Sequence, residues 1–134
     1  MTKLTLFKIF GALILLAAII TACVVEDKLV VVSLREVKTY CYQIETAVEK
    51  HNGIVNNEVS SLVDNLQYSW TKKEQKLCLL VNHKSIEQLA VEVVRLKTYL
   101  DEEAEIEFLT SLEIIKSYVE TFQHFMGASF HNIL

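Results

Sequence analysis

The fold of this chain is decided by residues 28–53, KLVVVSLREVKTYCYQIETAVEKHNG. Apolar side chains recur there at alternating steps of four and three residues, which places them on one face of an α-helix. The residues of that face are Val30, Leu34, Val37, Cys41, Ile44, Val48 and His51. Asn52-Gly53 then supplies a helix stop and turn signal. The stretch therefore predicts a first amphipathic helix that ends just before Asn52.

Upstream of this helix lies an unbroken apolar run of 17 residues from Ile9 to Val25, preceded by Lys3 and Lys8. Such a run reaches the short end of what a helix needs to cross ~30 Å of hydrocarbon, and the apolar residues before Lys8 lengthen it if that side chain reaches the interface. The run is slightly too long for a secretory signal peptide, and no Ala-x-Ala cleavage site follows it. Residues 1–25 are therefore predicted to form a transmembrane anchor.

A second interpretation of the same segment is a bacterial lipoprotein signal. Residues 20–23, Ile-Thr-Ala-Cys, resemble the lipobox, in which the Cys receives a diacylglyceryl group and the chain is cut before it. Cys23 is then the candidate lipidation site. A lipidated Cys is usually followed by a flexible Ser/Gly-rich tether, whereas residues 24–25 and 29–32 continue an apolar helical segment. The uncleaved anchor is the preferred interpretation, and both interpretations place the chain at a membrane surface.

The residues beyond the anchor, 26–134, are enough for one small domain. Basic residues flank both ends of the apolar run almost equally, but a short amino-terminal tail with two Lys normally stays in the cytoplasm. We expect a single-pass protein of the cytoplasmic membrane with its N-terminus inside and its helical domain outside. Without Lys3 and Lys8 the formal net charge falls from −4 to −6. That acidity disfavours nucleic acid and anionic lipid as partners of the domain.

Three more amphipathic helices follow the first, in a sequence with no proline and only three glycines to interrupt them. The second is predicted to end near Asn82, and the third to start at a capping box in residues 85–88, Ser-Ile-Glu-Gln. The fourth is predicted to stop at Gly127. Their apolar positions are Val59, Val63, Leu66, Trp70, Leu77 and Leu80; Ile86, Leu89, Val93, Leu96 and Leu100; and Phe108, Leu112, Ile115, Val119, Phe122 and Met126.

Helices three and four are separated by the acidic residues between Asp101 and Glu107, which look like an N-cap and a first turn favoured by the helix dipole. Four amphipathic helices joined by short turns imply antiparallel neighbours. The predicted fold is all-α, an N-terminal transmembrane helix followed by a small antiparallel bundle of about four helices. The first bundle helix can be continuous with the membrane helix.

The three cysteines are too far apart for a Cys-x-x-Cys metal or redox motif. If the first two helices fold back around Asn52-Gly53, Cys78 lies ~21 Å further along the axis than Cys41. A disulfide needs Cα atoms within ~7 Å, so this pair is predicted to stay reduced. Both are expected to behave as small apolar residues.

The candidate functional cluster is the turn holding Asn82 and His83, together with the C-terminal tail. The seven residues after Gly127 can span ~23 Å, which would let His131 and Asn132 fold back over that turn. The preferred interpretation is that these groups cap helix ends and fix the tail. The alternative is a ligand or metal site. Trp70 belongs to the same set as a conceivable ligand platform, although its place on an apolar stripe favours a core role.

No arrangement typical of an enzyme can be assembled from this sequence. It lacks Ser/His/Asp, Cys/His and phosphate-loop spacings, and its glycines are isolated. Glu120 and His124 are one turn apart, but the di-iron pattern requires Glu-x-x-His, which does not occur. The acidic residues 101–107 lack the spacing and the glycine of an EF-hand loop. No cofactor and no catalytic residue is predicted.

Several segments of the second half carry a family resemblance. They are Trp70-Thr71-Lys72-Lys73, Leu79-Leu80-Val81-Asn82-His83, Arg95-Leu96-Lys97-Thr98-Tyr99-Leu100 and Asn132-Ile133-Leu134. In these the chain resembles domain-of-unknown-function family 4363, short membrane-anchored bacterial proteins. The resemblance covers residues 70–134 well, and residues 26–69 only in helical character. It implies an N-terminal anchor with a helical domain, and it supplies no activity, because none is established for the family.

These observations lead to two functional hypotheses. The first is a non-enzymatic, membrane-tethered helical module at the bacterial cell surface that binds another protein. The second is a small ligand- or metal-binding sensor that uses the His83 turn and the C-terminal tail.

Overall fold

The computed structural model describes the backbone of residues 2–80 and 83–133, with the side chains of all but residues 27, 80, 83 and 125–133. Four helices make up this part of the chain: α1 (Lys3–His51), α2 (Asn57–Leu80), α3 (His83–Asp101) and α4 (Glu105–Ile133). No strand occurs in these two ranges. The all-α prediction is confirmed.

The helices form a four-membered ring in which α1 packs on α2, α2 on α3, α3 on α4, and α4 on α1. Residue pairs across each contact show the helix directions. On α2, both Ser69 and Lys73 reach Glu36 of α1. On α4, Lys116 meets Glu45 and Glu120 meets Lys38, so the numbers rise on one helix as they fall on the other. The architecture is an antiparallel up-down-up-down bundle, as expected for helices joined by short turns.

The bundle core is built from the predicted stripes. Every predicted stripe residue between Val30 and Val48 is buried, and the same holds for the described stripe positions of α2 and α3. On α4 the stripe is buried from Phe108 to Val119, and Phe122 is half-buried. The exception is His51, which is exposed because it sits in the last turn of α1 and pairs with Glu58. Lys73, which interrupts the apolar spacing of α2 between Trp70 and Leu77, is half-buried and ion-paired with Glu36.

The N-terminal half of α1 projects beyond this bundle. Of the 49 residues of α1, every described side chain between residues 2 and 29 is exposed, and burial begins at Val30. The whole helix is roughly 74 Å long at 1.5 Å per residue, and no break separates its two halves. Within the described part of the chain, α1 is the one helix long and apolar enough to cross a membrane. The prediction that the apolar run flows into the first bundle helix is confirmed.

The turn between α1 and α2 is a left-handed cap. Asn52 has φ 53° and ψ 36°, and the Gly53 N–H donates to the carbonyl of Val48 at 3.1 Å. Asn tolerates the left-handed region better than most residues, so the helix stops one residue before the glycine. Asn56 then caps α2, because its Oδ1 accepts the Val59 N–H at 2.8 Å.

The turn between α3 and α4 has the same geometry with a less suitable residue. Glu103 adopts φ 55°, its N–H donates to Leu100 O at 3.1 Å, and the Ala104 N–H donates to Tyr99 O at 2.9 Å. These two hydrogen bonds define a Schellman motif. The carbonyl of Ala104 accepts the Phe108 N–H and thereby opens α4. The acidic run is therefore divided, since Asp101 ends α3 while Glu105 and Glu107 lie in the first turn of α4.

Two predicted boundaries are wrong. Helix α3 begins at His83, so Ser85 lies inside its first turn and is not the N-cap. Helix α4 does not stop at Gly127 but continues to Ile133. An isolated glycine costs a helix ~1 kcal/mol relative to alanine, which the neighbouring turns can offset when no proline follows. The segment predicted to be a non-helical tail is therefore helical.

Candidate functional site

The residues of the predicted cluster lie toward one end of the bundle. Trp70 is on α2, and the backbones of His83, His131 and Asn132 lie in α3 and α4. Asn82 lies outside the described residues, as do the side chains of the two histidines and of Asn132. The tail-docking and ligand-site hypotheses for these side chains therefore stay predictions.

The backbone still shows which helix ends share a level. Glu36 of α1 is level with residues 69–73 of α2, and Lys38 with Glu120 of α4. Counting outward from these pairs at 1.5 Å per residue, the end of α2 and the end of α4 both come level with about residue 28 of α1. We call this end of the bundle the anchor end, because the apolar run of α1 leaves the bundle there. We call the opposite end, which holds the α1–α2 and α3–α4 turns, the distal end.

Trp70 is separated from that cluster. Asp64 pairs with Lys97 across α2 and α3, so His83 is level with about residue 78 of α2, roughly 12 Å along the axis from Trp70. The indole is 2% exposed and belongs to the core, as its stripe position favoured. Its Nε1–H is buried without a hydrogen-bond partner in the described structure. Burial of an unpaired donor costs ~1–3 kcal/mol, so this position is a local weakness of the core.

Beside Trp70, a shallow groove runs between α2 and α3. Its volume is about 330 Å³, and Gln67, Thr71 and Glu74 of α2 line one wall. Val91 and Val94 form much of the other wall and are 48% and 54% exposed. Two adjacent aliphatic side chains at the mouth of a groove can take up apolar side chains of another molecule. The sequence carried a signal for them, because α3 has valines outside its core stripe.

A buried polar contact joins α3 to α4 behind this groove. Glu92 is almost fully buried, and its carboxylate accepts hydrogen bonds from Ser111 Oγ at 3.1 Å and Arg95 Nη1 at 2.8 Å. Ser111 Oγ also lies 3.2 Å from the Glu92 carbonyl. These partners satisfy a carboxylate that would otherwise be costly to bury. Sequence periodicity placed neither Glu92 nor Ser111 in the core.

A second polar contact ties α1 to α4. Lys116 Nζ lies 2.7 Å from Glu45 and 3.1 Å from Glu113, and 5.0 Å from the centre of the Tyr42 ring. The hydrogen bond to Glu45 raises the pKa of Lys116 above its ordinary value. The ammonium is therefore held charged, and the contact is a structural tie between two helices.

The titratable groups near the first turn form a surface ion cluster. His51 Nε2 lies 2.7 Å from Glu58, and Lys50 Nζ lies 3.2 Å from the same carboxylate. The hydrogen bond from His51, followed by that from Lys50, lowers the pKa of Glu58. The cluster joins the end of α1 to the start of α2, and it lies at the distal end of the bundle.

All three cysteines have free thiols. Burial raises the pKa of Cys41 to about 12, so its thiol stays neutral and unreactive at physiological pH. Desolvation likewise raises the pKa of Cys78. Cys23 is exposed on α1, with helix on both sides. Counting from the contacts of Glu36 with Ser69 and Lys73, Cys41 is level with about residue 66 of α2, so Cys78 lies roughly 18 Å further along the axis.

Among the described residues, no three His, Cys, Asp or Glu side chains converge as metal ligands do. The groove by Trp70 has one aliphatic wall, on α3, and one more polar wall, on α2, and Glu74 and Arg95 are among its lining residues. Such a surface offers shape and apolar contact.

Comparison with known proteins gives one match. The family model described as Domain of unknown function (DUF4363) matches residues 28–133. No curated protein and no solved structure matches the chain. The chain therefore belongs to the DUF4363 family, and the match covers the whole bundle. It extends to residues 28–69, for which the sequence segments alone indicated only a common helical character. The matched segment starts at residue 28, just after the apolar run that ends at Val25.

Proposed function

We propose that this DUF4363 protein is a membrane-tethered, non-enzymatic module that binds a partner protein through the groove between α2 and α3. The proposed membrane tether is supported by the continuity of α1. Its exposed apolar half leads without a break into the buried stripe that starts at Val30. A bundle fixed rigidly to such a helix is held at a set height and angle above the bilayer, which suits the presentation of a surface.

The proposed partner surface combines exposed aliphatic side chains with a groove. Val91 and Val94 are exposed side by side on α3, and together with Thr71 and Gln67 they line the groove above Trp70. The groove is framed by one acidic and one basic side chain, Glu74 and Arg95. An apolar centre with a charged rim is typical of a modest protein interface. A helix or an extended segment with two or three aliphatic side chains would fit it.

The bundle is proposed to lie outside the cytoplasm, because of the short tail with Lys3 and Lys8. Labelling of intact cells with a membrane-impermeant maleimide tests this. In a Cys23→Ser, Cys78→Ser background, Ser61→Cys, at an exposed site on α2, should be labelled without permeabilisation. Thr5→Cys should be labelled only after the cells are permeabilised. Labelling with the opposite pattern would place the bundle in the cytoplasm.

Site-specific photocrosslinking in intact membranes tests the partner surface. A photoreactive benzoylphenylalanine at Val94 should give a discrete adduct, since that side chain stands at the groove mouth. The same group at Ser117, an exposed position on α4, is the matched control. Adding Val91→Glu should reduce the adduct at position 94 because a charge disfavours apolar docking. Equal yields at 94 and 117, or none at either, would contradict the proposal.

A further inference from the structure

We propose that the anchor end of the bundle rests on the bilayer surface and contacts anionic phospholipid headgroups through one exposed face of α2. That face consists of Lys72, Lys76 and Leu79, at steps of four and three residues. The proposal rests on the tether proposed above, and it adds a lipid contact made by the bundle itself.

The position of this face along the bundle axis places it close to the membrane. Counting from the contacts of Glu36 with Ser69 and Lys73, Leu79 is level with about residue 28 of α1, and Lys76 is roughly 5 Å further from the membrane. The apolar run ends at Val25, so residue 28 lies where a spanning helix leaves the hydrocarbon. The headgroup layer on each side is ~5–8 Å thick. Leu79 and Lys76 therefore fall at headgroup depth.

The exposure and chemistry of this face are the second argument. Leu79 is 87% exposed, which is unusual for a large aliphatic side chain near the end of a bundle helix. Lys72 and Lys76 are exposed on the same face. An aliphatic residue at the boundary with a lysine one turn above it is the pattern of an interfacial surface, in which the apolar group enters and the ammonium group meets phosphate. Lys72 is a further turn above, where its Nζ lies 4.4 Å from the centre of the Tyr68 ring and adds positive charge to the same face.

The distribution of charge along the bundle is the third argument. The distal half, residues 45–62 and 99–115, carries nine acidic side chains and one basic one. The anchor half, residues 26–44, 63–98 and 116–134, carries ten basic and eight acidic side chains. The net charge of −6 is therefore the sum of −8 in the distal half and +2 in the anchor half. Repulsion of the distal half and attraction of the anchor half both orient the bundle upright on an anionic surface.

The acidic residues near the interface are not part of this face of α2. Glu26 precedes Lys28 on α1, with Asp27 between them, and Glu74 lies on α2 within the same half. Glu74, however, lines the groove toward α3 together with Thr71 and Val91. It is therefore turned away from the face formed by the two lysines and Leu79. The overall acidity of the domain had argued against anionic lipid as a partner, and the structure separates the charges that the sequence total had combined.

Fluorescence of the full chain in vesicles tests the contact. Cys23 and Cys78 are changed to Ser, Cys41 is kept because it is buried, and Leu79→Cys is labelled with an environment-sensitive fluorophore. Ile106→Cys, at a distal aliphatic position that is 78% exposed, is the matched control. Vesicles contain phosphatidylcholine either alone or with phosphatidylglycerol, and acrylamide, an uncharged aqueous quencher that neither the lipid charge nor the local protein charge attracts or repels, reports access.

In phosphatidylglycerol vesicles we expect the quenching constant at position 79 to be about threefold smaller than at position 106, since the headgroup region excludes the quencher. Adding Lys72→Glu and Lys76→Glu should remove the difference, because each lysine near an anionic surface changes partitioning by about fivefold. Equal quenching at both positions in the anionic vesicles would overturn the headgroup contact. Protection at 79 that is the same without phosphatidylglycerol would overturn the role of the lysines. Flotation separates these results from failure of the tether, in which the chain would not rise with the vesicles.

Discussion

At the residue scale, two backbone positions within the described part of the bundle adopt the left-handed conformation, and they are occupied by different residue types. Asn52 adopts this conformation readily, because Asn tolerates the left-handed region. At Glu103 the Cβ atom crowds the following carbonyl oxygen, which destabilises the folded state. Each closes a helix through a hydrogen bond across its last turn. Sequence reasoning found the first turn because Asn-Gly is a strong signal. It placed the second only approximately, because no glycine marks it.

The cost at Glu103 leads to a stability prediction. Glu103→Gly should raise the free energy of unfolding by about 1 kcal/mol, because glycine adopts positive φ without the Cβ clash. Denaturant unfolding of the full chain in detergent measures it. Glu102→Gly, one residue earlier where no positive φ is present, is the control and should be neutral or destabilising. Equal stabilisation by both substitutions would contradict the conformational explanation.

Trp70 provides a second prediction at this scale. Trp70→Phe removes the unpaired indole N–H and a small volume, so its two effects oppose one another. We expect Trp70→Phe to stay within about 1 kcal/mol of the parent chain, while Trp70→Ala should cost about 3–5 kcal/mol through the cavity it leaves. Thermal and denaturant unfolding distinguish the two variants. A large loss in Trp70→Phe would mean that the N–H makes a contact important for folding.

At the element scale, helices were predicted more reliably than their ends. The buried stripes of α1 to α4 follow from the 3.6-residue period, since an apolar side chain that recurs on one face must be buried. Boundaries depend on a few local hydrogen bonds. Ser85 has the residue type of an N-cap but lies within α3, and Gly127 has the residue type of a stop but lies within α4. Packing of the neighbouring turns overrides such weak preferences.

The polar contacts between helices were beyond prediction, because they depend on which exposed positions face one another after packing. Lys116 and Glu45 are 71 residues apart in sequence and 2.7 Å apart in space. The groove between α2 and α3 likewise depends on which positions face one another after packing. Val91 and Val94 are visible in the sequence as extra apolar residues, but only the packing of α2 against α3 places them at a shared opening.

The α1–α4 tie gives a pH-dependent prediction. Lys116→Met should lower stability by about 1–2 kcal/mol at neutral pH, since the contacts with Glu45 and Glu113 are partly buried. The folded-state pKa of Lys116 is raised above the unfolded value of 10.5. Its contribution is therefore complete below pH 10.5 and disappears as the pH rises through the folded pKa.

Unfolding measured between pH 7 and pH 11 should show the difference between parent and Lys116→Met to be constant at first and then to shrink at the alkaline end. Lys50→Met is the control, because Lys50 is far more exposed and its pair with Glu58 should matter little. A difference that persists unchanged at pH 11 would assign the loss to packing of the lysine stem instead of its charge.

At the scale of the whole molecule, the bundle should open as one unit around the buried stripes, and Cys41 reports that opening. Its thiol is fully buried and its pKa is raised to about 12, so labelling requires exposure of the core. In a Cys23→Ser, Cys78→Ser background, the rate of reaction with iodoacetamide should fall in proportion to the unfolded fraction as denaturant is removed. Rapid labelling under native conditions would show that α1 separates locally from α4.

The central claim for the whole molecule is that α1 is one uncleaved helix that carries the bundle on the membrane. The competing hypothesis, lipidation at Cys23, predicts a different covalent structure. The intact mass of the protein extracted from membranes with detergent is the most direct test. We predict the mass of a chain that retains residues 1–22 and has no lipid. A chain lacking those residues and carrying a diacylglyceryl group on Cys23 would contradict the account.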